Sequence, residues 1–269
     1  NYSTSSFIDS IKYFTQELIG FSAYHALPKR QVVCLVSSMR AGSTLLKALL
    51  GQADDISHLP EYDFSILNSF SRNRAYYILL KTVPERYIVL KKPRWFADAN
   101  YPSPPPVLNC KFIVLFRDMP DVVTSLMKRW PDLDPREAVN YWYETYNSIF
   151  EQLQHLPPES VCYASYHKLL EFPEQTTFQL FKFIGSKQPV GVSKYTHPDG
   201  GWKWGRDDGS NNIFTMTVQN TKQRCRQLDI EIPQERLAAI QNLSKEYGSL
   251  IERSRLSTQG TENKEQASV

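Results

Sequence analysis

The sequence predicts an α/β fold, a central parallel sheet flanked by helices. Three observations predict it. Short apolar runs rich in β-branched and aromatic residues recur at 32–36, 87–90, 112–116 and 161–165, the composition of strands covered on both faces. Helix starts and helical spacing lie between them, and strands alternating with helices imply parallel crossovers. Last, "VVCLVSSMRAGSTLLKALL" (residues 32–50) passes from an apolar strand through a small-residue turn into a helix. Such a turn offers backbone amides to an anion at the carboxyl end of the sheet.

The elements follow in order. Residues 5–20 place Phe7, Ile8, Ile11, Phe14, Leu18 and Ile19 on one helical face, so an amphipathic helix is expected to pack on the body. The first strand covers 32–36 and its helix runs from about Thr44 to Gly51. Runs 87–90 and 112–116 are the next strands. Pro120 opens a helix through Trp130 with Asp118 as its cap, and Pro135 opens a longer one to about Leu156. A fourth strand at 161–165 precedes a helix from Pro173 to near Gly185. "YPSPPPV" (101–107) reads as a surface connector, whereas 189–215 mixes Gly, Asp, Asn and Ser with two tryptophans and reads as a functional loop. A last helix is expected from Gln234 to Ile251. One domain then covers 1–252, and the polar stretch 253–269 is expected to be a disordered tail.

Bulk composition narrows the function classes. The 269 residues are 41% hydrophobic and 22% charged, which suits one large domain. A net charge of +3 admits a small anionic ligand but lacks the concentrated basic stripe of a nucleic-acid reader. No apolar run reaches the ~18 residues that span a bilayer. The four cysteines form no CxxC pair, which argues against a zinc site, and the sequence shows no ligand cluster for another metal. Cys34 and Cys162 sit in apolar runs as small hydrophobes. Reduced cysteines point to the cytoplasm, with the Golgi lumen as the alternative if an N-terminal anchor was removed. The oligomeric state cannot be read from these features.

"SSMRAGST" (37–44) aligns with the phosphate-loop pattern G-x-x-x-x-G-K-[ST] at Gly42 and Thr44. Ser37 stands for the first glycine and Ser43 for the lysine. Gly42 and the amides of 41–45 retain an anion cradle at a helix N-terminus, but the lysine that reaches a β- or γ-phosphate is gone. The cation has moved to Arg40. In "FIVLFRDMPDVVTSL" (112–126) Arg117 ends a strand and Ser125 lies eight residues on, along the next helix. An arginine fork binds phosphate through paired charge-assisted bonds. A hydroxyl two helical turns later returns to the same side.

These two motifs resemble those of sulfotransferases that use 3′-phosphoadenosine 5′-phosphosulfate (PAPS) and release the bisphosphate PAP. The loop is similar to the R-x-G-[ST] variant of bacterial and Golgi-type members. The resemblance covers roughly residues 30–210 and implies the three-layer P-loop fold, like that of nucleoside kinases. It implies that Arg40, Ala41, Gly42, Ser43 and Thr44 hold the 5′ end of the donor, and Arg117 and Ser125 its 3′-phosphate. "VCYASYHKLLEFP" (161–173) resembles the family strand ending in Y-E-D-L, implying Tyr166 near the adenine, although His167 and Lys168 replace the acidic pair. "GGWKWGRDD" (200–208) falls where the family has a basic loop, implying Lys203 and Arg206 as cations and Trp202 or Trp204 as a stacking partner.

Sulfuryl transfer, like phosphoryl transfer, is loose and in-line, so a fixed cation and amides where charge develops contribute most to catalysis. Arg40 is the candidate for the departing end. Lys91, in "VLKKPRW" (89–95), aligns with the family lysine at the transferring group, but the histidine base of cytosolic members is absent there. "SHLPEYDF" (57–64) resembles the loop that carries a glutamate base in bacterial and Golgi-type members. Glu61 is therefore the first candidate base and His58 the second. Aromatic residues including Trp95, Trp142, Tyr143 and Tyr146 could line the pocket of a small-molecule acceptor or belong to the core. A small-molecule kinase and a non-catalytic nucleotide-binding protein remain the alternatives.

Overall fold

The computed structural model describes residues 12, 14–15, 18–19, 31–58, 85–91, 110–187, 190–197, 211–219 and 230–266. Four strands form one parallel sheet: β1 (Gln31–Val36), β2 (Tyr87–Lys91), β3 (Lys111–Phe116) and β4 (Val161–Ser165), in the order β2-β1-β3-β4. Each is nearly continuous in apolar residues because both faces are covered. Along β1, Val32, Cys34 and Val36 enter the core on one side, and Val33 and Leu35 enter it on the other.

Helices α1 (Ser43–Leu50) and α5 (Pro173–Ile184) cover one face with Leu46, Leu49, Leu180 and Phe181. Helices α2 (Met119–Arg129), α3 (Pro135–Leu153) and α6 (Gln234–Gln266) cover the other with Val122, Leu126, Trp142, Tyr146 and Tyr247. The expected three-layer arrangement is present. A short helix, α4 (Tyr166–Glu171), follows β4 without a break, and the sequence pattern does not announce it. Its start is set by Ser165, whose hydroxyl accepts from the Lys168 amide.

Strand order and register decide where the site lies. Leu35 pairs with Lys91, Val36 with Val114, and Phe116 with Ser165. Lys91, the turn at 37–42, Arg117 and Tyr166 therefore all leave the same edge of the sheet. From β1 the chain crosses to β2 on one side, then returns to β3 on the other. The resulting switch between β1 and β3 is where open α/β sheets hold ligands.

Three expectations are corrected. Asp118 occupies the cap position of α2 but makes no capping bond; its carboxylate instead lies 2.9 Å from His167 Nε2. In α3 the cap works as expected, with Asp134 accepting from the Arg136 and Glu137 amides. Second, α6 does not stop at Ile251 but continues to Gln266, so residues 253–266 are helical rather than a disordered tail. The Ser254 hydroxyl accepts the Tyr163 amide of edge strand β4, and Glu252 pairs with Lys168 and Arg255. These contacts hold the helix where its apolar periodicity has ended. Third, Phe14, Leu18 and Ile19 are helical but exposed, so they do not pack on the body as expected. Phe7, Ile8, Ile11 and the connector at 101–107 lie outside the described residues.

Candidate active site

The turn after β1 needs two left-handed residues. Gly42 has φ 93° and Arg40 φ 65°. For arginine this conformation costs about 1–2 kcal/mol, so surrounding bonds must hold it. They do. Arg40 Nε donates to Ser125 Oγ at 3.1 Å, and its carbonyl accepts from an Arg117 guanidinium nitrogen at 2.7 Å. At Gly42 a Cβ would lie 2.2 Å from the Tyr166 ring. The glycine is therefore required by backbone conformation and by the packing of this ring, as well as by any anion approach.

Helix α1 opens at Ser43 with no side-chain cap and no acidic residue in its first turn. Its N-terminal end thus keeps the partial positive charge and the donor geometry that favour an anion. Beside it, Lys91 at the end of β2 is buried and donates from Nζ to Thr44 Oγ1 at 2.5 Å. A β2 cation therefore reaches the loop hydroxyl, next to the place of the missing loop lysine.

Arg117 leaves β3 with its main chain held by two aromatic tips of α3. Its amide donates to Tyr146 Oη at 3.1 Å, and its carbonyl accepts from Trp142 Nε1 at 2.9 Å. The guanidinium lies over the Tyr166 ring, 4.3 Å from its centroid, a cation–π arrangement. Arg117 Nε is buried and has no hydrogen-bond partner among the described residues. Buried donors are nearly always satisfied, so an acceptor such as a ligand oxygen fits here. The α1 amides, with no acidic residue in that helix's first turn, and the Arg117 and Lys91 cations beside them suit a ligand with two anionic groups.

The two motifs that the sequence separated into a 5′ and a 3′ site are in direct contact. Arg40, expected at the departing end, is tied through its side chain to Ser125, expected at the 3′ end. The cation bonded to Thr44 is Lys91 instead. Tyr166 sits between the motifs, against Gly42 and under Arg117. His58 is placed elsewhere. Its ring fills the space beside Gly51, and Nε2 donates to the Thr196 carbonyl at 3.1 Å, so it makes a packing and tethering contact. Glu61, Lys203 and Arg206 lie outside the described residues, as do Trp95, Trp202 and Trp204.

Sequence reasoning missed the α3 aromatics as loop supports. Tyr141 Oη accepts the Met39 amide at 2.9 Å, while Trp142 and Tyr146 are fully buried. The signal that could have found them was a core stripe whose members carry polar tips. It also missed His167, whose Nε2 is 2.9 Å from Asp118 and 3.2 Å from Asp121, off the line of a directional hydrogen bond. Chiefly the Asp118 carboxylate at hydrogen-bond distance raises the His167 pKa; partial burial and Arg117 oppose it.

A parallel sheet with an uncapped phosphate-type loop at its switch point is the arrangement of a P-loop protein. More narrowly, residues 30–199 match the model of the sulfotransferase domain, and the chain belongs to that family, whose sulfuryl donor is PAPS. Its fold resembles the sulfotransferase domain from the curacin biosynthetic pathway, with TM-score 0.59 and 19% identity over 81% of this chain and 99% of that one. It also resembles the sulfotransferase domain of the Synechococcus PCC 7002 olefin synthase, with TM-score 0.63 and 16% identity over 82% and 96% of the two chains. No curated protein matches it. Among the described residues no helix is long and apolar enough to cross a membrane, and no side-chain cluster suits a metal ion.

Proposed function

We propose that this chain sulfates a hydroxyl or amine of a small-molecule acceptor, with the donor held across the β1–β3 switch. When bound, PAPS supplies the sulfuryl group and departs as PAP. The reading is carried by one observation: the Arg117 guanidinium, whose Nε has no partner among the described residues, is joined through the Arg40 carbonyl to the loop that opens α1. The amides of 43–45 and the Thr44 hydroxyl bind the 5′ end. Lys91 is fixed beside Thr44 and stabilises negative charge there, where preorganised donors act most strongly. Arg117, Ser125 and the Arg40 side chain form the 3′ end, to which the family resemblance also assigns Lys203 and Arg206. Tyr166 supplies the adenine-side wall.

Arginine keeps its proton, so Arg40 and Arg117 act by charge and hydrogen bonding. Proton removal from the acceptor is assigned to Glu61, the first candidate from the resemblance of residues 57–64 to the loop that carries a glutamate base. The Nε2 bond to Thr196 leaves His58 less suited to it.

Transfer of labelled sulfate from PAPS to a panel of phenols, sugars, steroids and amines tests the proposal, with ATP and magnesium as the control donor. Labelled product from at least one acceptor is expected. Failure across the panel, or tighter binding of ATP than of PAP, would overturn it.

A further inference from the structure

We infer that the Tyr146 hydroxyl is a positioning group that sets the separation between the two anion-binding loops, so that the site prefers a bisphosphate to a monophosphate. The inference rests on the reading of the site as a PAPS cradle. A tyrosine hydroxyl has one donor and two acceptor positions, and here all three are used. It donates to the Leu115 carbonyl at 2.9 Å, and accepts the Arg117 amide at 3.1 Å and the Ser38 hydroxyl at 3.4 Å. Ser38 is two residues before Arg40 in the first loop, and Arg117 begins the second. A single oxygen is thus bonded to both.

That oxygen has little freedom. Tyr146 is fully buried, and its ring is boxed by Phe116, Trp142 and Tyr247 at centroid distances of 5.0, 5.1 and 5.3 Å. The Tyr247 hydroxyl donates to the Tyr146 carbonyl at 2.8 Å, fixing the helix turn itself. Neighbouring tips add further bonds: Tyr141 accepts the Met39 amide, and Trp142 donates to the Arg117 carbonyl.

A rigid two-ended ligand gains from such a joint. Once one phosphate is bound, the second meets its site at an effective concentration set by how well the spacing is held. Removing the joint should leave each half-site able to bind a monophosphate while the advantage of carrying both falls. General destabilisation has a different outcome, because it weakens all three ligands alike.

The test is calorimetric titration of the full chain with adenosine 3′,5′-bisphosphate, adenosine 5′-monophosphate and adenosine 3′-monophosphate. For Tyr146→Phe, the bisphosphate preference over either monophosphate should fall about tenfold, with monophosphate affinities within about threefold of wild type. Ser38→Ala removes one of the three bonds and should lower the same ratio by about threefold. It carries the test alone if Tyr146→Phe does not fold. An unchanged ratio, or equal weakening of all three ligands, overturns the inference and leaves the proposed function standing. A wild-type chain without bisphosphate preference overturns the proposed function, and this inference with it.

Discussion

Arg117 donates a guanidinium hydrogen bond, 2.7 Å long, to the main-chain carbonyl of Arg40. Residues 77 positions apart are so joined that the arginine ending β3 braces the left-handed turn after β1. The same arginine stacks on Tyr166, and its Nε has no hydrogen-bond partner among the described residues. It therefore braces one loop, and in the proposed reading it is also a donor to the ligand.

Arg117→Lys should lose both duties, since an ammonium has neither the planar fork nor the stacking face. Loss of a charged hydrogen bond is worth about 1.5–3 kcal/mol, so the Kd for PAP should rise about 10- to 100-fold. Titration with PAP measures it; an affinity near wild type would remove Arg117 from the site.

Lys91→Met keeps the length of the buried stem and removes the charge beside Thr44. If this cation stabilises the departing end, kcat should fall about 100- to 1,000-fold, as when one preorganised donor is lost. The KM for PAPS should change far less. A variant altered mainly in KM would make Lys91 a binding group only.

Gly42→Ala should fail for two separable reasons. The φ of 93° costs a residue with a Cβ about 1–2 kcal/mol, and that Cβ would lie 2.2 Å from the Tyr166 ring. Combining it with Tyr166→Ala relieves the clash but not the backbone strain. Thermal unfolding should show the double variant losing less than the sum of the single changes. Strict additivity would mean the two residues do not touch.

His167 gives the fold a pH dependence of known sign. Its folded pKa is raised from the ordinary 6.5, first by the Asp118 carboxylate at hydrogen-bond distance, then by the charges of Asp118 and Asp121. A histidine raised on folding binds its proton more tightly in the native state. This contribution is complete below about 6.5 and disappears as pH rises through the folded value. Comparing Tm across pH 5–9 (about that span) for wild type and His167→Gln should show a difference that narrows towards alkaline pH. A constant difference would refute the link.

Much of this protein was legible before any coordinates. The apolar runs, Pro120, Pro135 and Pro173, and the Gly42 turn locate four strands and their helices, because burial on both faces and backbone restriction act over a few residues. The pairing of Arg117 with Ser125 comes from the resemblance to the family motif, with which helical spacing is consistent, and the structure links the two through Arg40. Where α6 stops could not be read, since contacts of Ser254 and Glu252 with β4 and α4 hold the helix beyond its apolar pattern.

Tertiary structure alone decided the roles inside the site. It tied Arg40 to Ser125, brought Lys91 to Thr44, and turned His58 towards Thr196. It also made the Tyr146 hydroxyl a joint between two loops. Residue type states what a side chain is able to bond. Which partner it meets depends on strand order and on helices packed from distant parts of the chain, and those are properties of the whole fold.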